Sequence, residues 1–235
     1  MAQHLDLEEQ EQLDQLKHFW KQYGNLITWV LILVLGALAS WNGYQYWQRS
    51  QATKSAALYD EVDRAAKAVD LTKLERAFGD IKDKFGSTDY AQQAGLLSAK
   101  VFFENGKADL AKSALTWIAE KSNNAGYQAV AKLRLSGVLV ESKDFDNALK
   151  QLSGSFPKEF DGLVADRKGD ILALQGKTDE AKAAYSTAYA ALPSAIDYRR
   201  LVEFKLNALG VDPSLPPPVK VAGAAPADSA VDAKK

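Results

Sequence analysis

The order of apolar and polar residues divides the chain into an apolar stretch near the N-terminus and a long amphipathic region behind it. The 27 residues between Lys21 and Arg49 carry no charge, and residues 26–41 are predominantly apolar on every face of a helix. About 20 apolar residues cross a hydrocarbon core of roughly 30 Å. This pattern predicts one transmembrane helix at residues 23–47, preceded by a short leader at residues 1–22.

Aromatic residues mark both ends of the apolar stretch, where their rings suit the level of the lipid headgroups. They are Trp20 and Tyr23 at one end, and Trp41, Tyr44, Tyr46 and Trp47 at the other. A buried core helix seldom carries such a belt at each end. A cleavable signal peptide is a further interpretation, because residues 37–39 fit a small-x-small cleavage pattern. The leader argues against it, since it carries five acidic residues whereas a secretory leader is normally basic.

The charges beside the apolar stretch leave its orientation open. Lys17 and Lys21 favour a cytoplasmic N-terminus. Four cations follow within about 20 residues of the other end and favour the reverse. These cations are Arg49, Lys54, Arg64 and Lys67.

The amphipathic region repeats itself at intervals of 33 to 37 residues. A small residue recurs at Ala65, Ala99, Ser136 and Gly169, and twelve positions later an alanine recurs at Ala77, Ala111, Ala148 and Ala181. Apolar residues follow these two sets by three and four positions, at Ala68, Phe102, Leu139 and Leu172, and at Ile81, Leu115, Leu152 and Tyr185. Small residues let two helices of a pair approach closely, and larger ones fill the space between pairs.

The repeat predicts an all-α fold. Gly106 and Gly176 suit the left-handed turn that ends the first helix of a pair. The last unit is similar to the tetratricopeptide motif at Gly169, Leu172, Ala181, Tyr185, Ala188 and Pro193. We therefore expect a tetratricopeptide-like α-solenoid of about four helix pairs at residues 48–210, with a capping helix at 195–209. Residues 211–235, rich in proline and alanine, are predicted to be a disordered tail.

Composition excludes several classes of function. With 29 basic and 30 acidic residues, the chain lacks the charge excess of a nucleic-acid-binding protein. It has no cysteine, and its two histidines, His4 and His18, precede the apolar stretch. The repeats therefore lack the residues that usually bind metals or transfer protons at neutral pH. Asp166 and Asp170 form a carboxylate pair at helical spacing, but a lone pair is usually a solvated face. We predict no enzyme activity, no cofactor and no metal.

The first helices of the pairs are expected to line the concave face of the stack and to bind a partner there. The candidate residues are Leu96, Lys100, Phe103, Leu133, Val140, Asp166 and Asp170. This face is apolar in the two middle repeats and acidic in the last, which suits an extended or helical segment of a protein partner. The alternative is that the apolar candidates Leu96, Phe103, Leu133 and Val140 pack in the core or under the capping helix.

The leader also carries a family resemblance. Residues 8–25 read EEQEQLDQLKHFWKQYGN, which is similar to the entrance to the membrane in the YfgM-like family of inner-membrane tetratricopeptide proteins, the ancillary SecYEG translocon subunits. The resemblance extends over nearly the whole chain. It implies a single-pass type II protein of the bacterial inner membrane, with a cytoplasmic N-terminus and periplasmic repeats, and it favours a signal anchor over cleavage.

The resemblance further implies a function. It points to a non-catalytic, membrane-tethered protein-interaction scaffold at the SecYEG translocon. Its other partners would be a membrane-anchored periplasmic chaperone of the prolyl-isomerase type and emerging secreted proteins. A second hypothesis keeps the same repeats but assigns them to envelope assembly or cell division.

Overall fold

The computed structural model describes residues 7–213, with side chains from residue 11, and this range contains nine α-helices, one short 3-10 helix and no strand. The helices are α1 (Leu7–Lys67), α2 (Leu71–Phe85), α3 (Asp89–Glu104), α4 (Ala108–Lys121), α5 (Ala125–Glu141), α6 (Phe145–Gln151), α7 (Asp161–Leu174), α8 (Thr178–Ala191) and α9 (Tyr198–Ala208). The 3-10 helix, Lys158–Phe160, precedes α7. The predicted all-α fold is confirmed, and α9 lies where the capping helix was expected. Nearly all of the predicted tail lies outside the described residues.

α1 joins the predicted membrane span to the first repeat helix in one helix of 61 residues. It contains no proline, and its last glycine is Gly43, so no helix-breaking residue separates the span from the packed part of the helix. The most apolar 18-residue window has a mean hydropathy of 1.8, and only 6% of it is buried. The helix is therefore long and apolar enough to cross a membrane, and its exposure does not fit a core helix.

The chain divides into two compact units, and the boundary between them along the sequence falls inside α3, between residues 97 and 98. In the first unit, α2 packs against the C-terminal part of α1 through Val62, Leu74 and Ile81, all fully buried. Asp70 caps the start of α2, because its side chain accepts a backbone N–H three residues further on at 3.1 Å. A helix this short is marginal alone, so burial of this apolar face stabilises it.

The second unit packs α4 with α5, α5 with α6, α7 with α8, and α8 with α9. The alanines predicted to lie at helix contacts are fully buried, and the larger residues four positions later are buried as well. These residues are Ala111, Ala148 and Ala181, followed by Leu115, Leu152 and Tyr185. The role assigned to these positions from the repeat is therefore confirmed in this unit.

Gly169 shows why a small residue is required in the first helix of a pair. A Cβ atom added to Gly169 would lie 2.5 Å from the Cδ1 and Cε1 atoms of the Tyr185 ring. Carbon atoms pack at separations of roughly 3.5–4.0 Å. α7 and α8 therefore pack at a distance that only glycine permits at this position.

The turns inside the helix pairs share one construction. Each contains a residue with positive φ, and the next residue donates its backbone N–H to the carbonyl oxygen five positions earlier. Gly106 (φ 73°) and Gly176 (φ 75°) adopt this conformation, as predicted. Lys143 (φ 59°) and Val69 (φ 53°) adopt it in the other two pairs, where the backbone is strained because a side chain is present.

The first helix pair departs from the repeat in the position of its turn. α2 begins six residues before Ala77, whereas α4, α6 and α8 each begin three residues before their alanines. The turn therefore comes earlier in the repeat, and Ala68 lies exposed beyond the end of α1. The expectation that Ala68 fills space between helix pairs is wrong. Its helix ends before reaching it.

We expect Val69→Gly to raise the free energy of unfolding by about 1 kcal/mol, since the left-handed conformation costs a residue with a side chain roughly 1–2 kcal/mol. Val69 is 52% exposed, so little buried area is lost. Urea unfolding followed by far-UV circular dichroism would measure the change. The matched control is Gly106→Val, at the same position of the next turn, which should lower the free energy of unfolding. Unchanged stability in both variants would contradict the prediction.

Candidate partner-binding surface

A groove on the second unit lies between the end of α3, the second half of α5 and the middle of α7. It has a volume of about 350 Å³. The residues that define it are Lys100, Phe103, Glu104, Leu133, Arg134, Gly137, Val140, Glu141 and Arg167. We call it the α5 groove. Five of these residues belong to α5, and they lie on one side of it because residues three and four apart share a helix face.

The floor of the α5 groove is apolar and only partly covered. Phe103 is 39% exposed, and Leu133 and Val140 are half-buried. Gly137 lies between the last two on α5, and a Cβ atom added there would meet only the Nη1 atom of Arg167, at an ordinary 3.6 Å. A glycine inside a helix costs roughly 0.5–1 kcal/mol relative to alanine. Packing does not require glycine at this position. The absence of a side chain at Gly137 leaves the groove open.

Charged side chains of both signs surround this floor. The cations are Lys100, Arg134 and Arg167, and the anions are Glu104 and Glu141. The Lys100 ammonium and the Glu104 carboxylate are 3.8 Å apart and largely exposed, so their mutual attraction is weak. An apolar centre with a charged rim is the usual composition of a protein–protein contact.

A second depression of about 490 Å³ adjoins the α5 groove along α7. Val140 and Arg167 line both, so the two form one continuous surface. Asp170 and Leu174 extend it toward the C-terminal end of α7, and Leu174 is strongly exposed. The apolar strip therefore passes from α3 across α5 to α7.

The carboxylates of α7 are held by the capping helix. The Lys205 ammonium donates to Asp166 at 2.8 Å and 2.9 Å, and to Asp170 at 2.7 Å. The hydroxyl of Tyr185 donates to Asp170 at 2.8 Å, and the hydroxyl of Tyr198 donates to Asp166. Lys205 of α9 thus bridges the two carboxylates of α7, and each carboxylate also accepts a tyrosine hydroxyl. This network fixes α9 against the α7–α8 pair.

Burial raises the pKa of both tyrosines of the network above its ordinary value, and the hydrogen bonds to the carboxylates raise it further. Because the pKa of each tyrosine is higher in the folded state than in the unfolded state, the protonated hydroxyl contributes its full stabilisation at neutral pH. That stabilisation is lost only as the pH rises above about 10. Tyr185 and Tyr198 therefore remain protonated hydrogen-bond donors under physiological conditions.

The structure brings four of the seven candidate residues together. Lys100, Phe103, Leu133 and Val140 all line the α5 groove, and none of the three apolar ones is fully buried. Leu96 lies half-buried in the first unit. Leu96, Leu133 and Val140 are partly covered, which is compatible both with packing at the edge of the core and with a binding surface.

The two acidic candidates occupy different environments. Asp170 is partly exposed and lines the adjoining depression, whereas Asp166 is 2% exposed. The expectation that this pair forms a solvated face is wrong for Asp166, because Lys205 and Tyr198 cover its carboxylate. Arg167 lines both depressions but was not among the candidates, since in the sequence it is marked only by its place beside Asp166.

Comparison with known proteins agrees with this fold. The family model described as a tetratricopeptide repeat-like domain matches residues 17–211. A protein of Neisseria gonorrhoeae named ancillary SecYEG translocon subunit is 30% identical, over 89% of this chain and 100% of its own length. Proteins of the same name from Haemophilus influenzae and Escherichia coli are 28% and 27% identical. Those alignments cover 77% and 75% of this chain, and 89% and 85% of the two relatives.

The family model spans most of the chain, including part of the apolar helix and all of the helix pairs. The relative from Neisseria aligns along its entire length, so the likeness is not confined to the repeats. The chain therefore belongs to the tetratricopeptide repeat-like family whose members include the ancillary SecYEG translocon subunits of these bacteria.

Proposed function

We propose that the protein is a non-catalytic scaffold, tethered to the bacterial inner membrane by α1, which associates with the SecYEG translocon and binds a protein segment in the α5 groove. The observation that carries the proposal is the half-open apolar floor formed by Phe103, Leu133 and Val140 with charges around it. The names of the relatives support the translocon as the place of action.

The physical basis of binding is the burial of apolar surface. A partner segment that covers the three floor residues removes apolar surface from water. Burial of such surface is favourable by about 25 cal/mol for each Å². The charges on the rim would select among partners and fix their register. A groove of this kind accepts an extended segment or one face of an amphipathic helix.

The proposal includes a topology and further partners. The N-terminus would be cytoplasmic and the repeats periplasmic, where they would meet a membrane-anchored chaperone of the prolyl-isomerase type and emerging secreted chains. The family resemblance of the leader supports this arrangement. Proteolysis of spheroplasts would test it. Digestion of the repeats is the expected result, and their protection would overturn the periplasmic placement.

Filling the groove from Gly137 tests the proposed site without removing a core side chain. We expect Gly137→Leu to reduce photo-crosslinking from position 103 to translocon subunits several-fold in intact membranes, because the leucine occupies the space of the partner. Gly137→Ala is the matched control, which should retain crosslinking and raise stability by roughly 0.5–1 kcal/mol. Urea unfolding of both variants separates a blocked groove from a misfolded domain.

Two outcomes would contradict the proposal. Undiminished crosslinking in a correctly folded Gly137→Leu protein would show that partners do not enter the α5 groove. Recovery of envelope-assembly or division proteins from position 103 without any translocon subunit would favour that second function for the same repeats.

A further inference from the structure

The length of α1 fixes how far the first unit stands from the membrane. Trp47 belongs to the aromatic belt at the end of the span, and Ser55, eight residues later on the same helix, is fully buried. At 1.5 Å for each helical residue, about 12 Å separate the two positions along the helix axis. No proline or glycine lies between them that would bend the helix.

The turn between α2 and α3 lies beside Ser55, at the same level along the axis of α1. The hydroxyl oxygens of Ser55 and Thr88 are 2.7 Å apart, and Thr88 also donates to the carbonyl oxygen of Phe85 at the end of α2. α2 therefore runs back along α1 toward the span. We call residues 48–56 and 82–90, which the two helices bring together at this end, the base of the first unit.

The base carries more positive than negative charge. Its cations are Arg49, Lys54, Lys82 and Lys84, and its anions are Asp83 and Asp89. The side chain of Lys84 is 60% exposed although it pairs with Asp80 one turn higher on α2. Such an exposed pair is weak and leaves the ammonium able to interact elsewhere. None of these residues lines the α5 groove.

We propose that the base of the first unit rests on the bilayer surface and binds the headgroups of anionic phospholipids. The headgroup layer is roughly 5–8 Å thick on each side of the hydrocarbon core. Lysine and arginine side chains extend toward it from a helix. Electrostatic attraction acts over a Debye length of about 8 Å at physiological salt. The base thus lies within range, and each cation near an anionic surface strengthens binding.

This inference rests on the proposed membrane anchor and involves only residues of the first unit. A flexible linker would let the first unit leave the surface, whereas α1 limits its base to the distances that tilting of the helix allows. The first helix pair would then be oriented by lipid contact as well as by its tether.

Headgroup-attached nitroxide lipids test the proposal, since they quench a fluorophore only at short range. The chain has no cysteine, so single cysteine variants of the full-length protein can be labelled selectively. The probes are Ser87→Cys in the base, Thr72→Cys at the opposite end of α2, and Tyr46→Cys in the aromatic belt. In vesicles of phosphatidylglycerol and phosphatidylcholine, we expect strong quenching at positions 46 and 87 and several-fold weaker quenching at 72.

The charge dependence gives the second arm of the experiment. Lys54→Glu combined with Lys84→Glu should lower quenching at position 87 to the level found in pure phosphatidylcholine. Lys112→Glu, an exposed lysine of the second unit, should leave it unchanged. Added inorganic phosphate should not reproduce the effect of the anionic lipid.

The outcomes separate this inference from the anchor on which it rests. An unquenched probe at position 46 would show that the span is not inserted, and the proposed tether itself would fail. A quenched probe at 46 with equally weak quenching at 87 and 72 would overturn the lipid contact alone. Equal quenching at position 87 in anionic and in neutral vesicles would overturn the claim that the base binds anionic headgroups.

Discussion

Replacing Lys205 with methionine is expected to lower the free energy of unfolding of the second unit by about 3 kcal/mol. Methionine preserves much of the apolar length of the side chain but removes the ammonium that binds Asp166 and Asp170. Asp166 is almost fully buried, so its carboxylate would lose its cation without gaining water. Removing one partner of a buried ion pair is costly for this reason.

The measurement is urea unfolding, together with amide hydrogen exchange in α9. Exchange should accelerate there first, because Lys205 is the charged link between α9 and α7 in this network. Lys112→Met is the control, since Lys112 is exposed and its loss should change stability little.

A double variant distinguishes the lost ion pair from a general effect of methionine. Adding Asp166→Asn to Lys205→Met removes the uncompensated buried charge, so part of the lost stability should return. If Lys205→Met were as stable as Lys112→Met, the network would not stabilise the capping helix.

Gly169→Ala is expected to lower the free energy of unfolding by about 1–3 kcal/mol, the usual cost of overpacking a core. The added Cβ would lie 2.5 Å from the Tyr185 ring, so the ring or a helix must shift. A shifted ring also moves the hydroxyl that donates to Asp170. Thermal unfolding of the full-length protein in detergent would measure the loss.

The control for this change is Gly137→Ala. Both glycines lie inside helices of the second unit, but a Cβ at Gly137 meets only the end of the Arg167 side chain, at 3.6 Å. It should therefore stabilise the protein slightly, because alanine favours helix over glycine. Equal effects of the two substitutions would show that the close packing of α7 on α8 does not limit stability.

The repeat could be predicted because its signal is local and recurs. Ala111, Ala148 and Ala181 stand at one helix contact in three successive pairs, and two of the three turns in these pairs place a glycine at the position of positive φ. The first pair was less regular because its turn comes earlier and uses Val69 in place of glycine. Valine rarely adopts positive φ, so residue type did not predict a turn at Val69, and only the backbone conformation shows it.

The candidate surface could be predicted only in part. Lys100, Phe103, Leu133 and Val140 fall on one side because their spacing follows the helix period. Asp166 and Asp170 follow the same rule, yet their environment depends on Lys205, which lies 39 and 35 residues away along the chain. Helix periodicity describes a face but not which distant segment covers it.

The apolar helix, the succession of helix pairs and the positions of the closest contacts could be predicted, since they follow from hydrophobic length, helical period and side-chain size. Only the folded arrangement shows which carboxylate of α7 is buried and which glycine opens a groove rather than tightening a contact. The same holds for the continuity of α1, which runs unbroken from the apolar stretch into the first helix pair. Those features depend on residues distant in sequence, or on one helix persisting through two environments, and local patterns do not encode them.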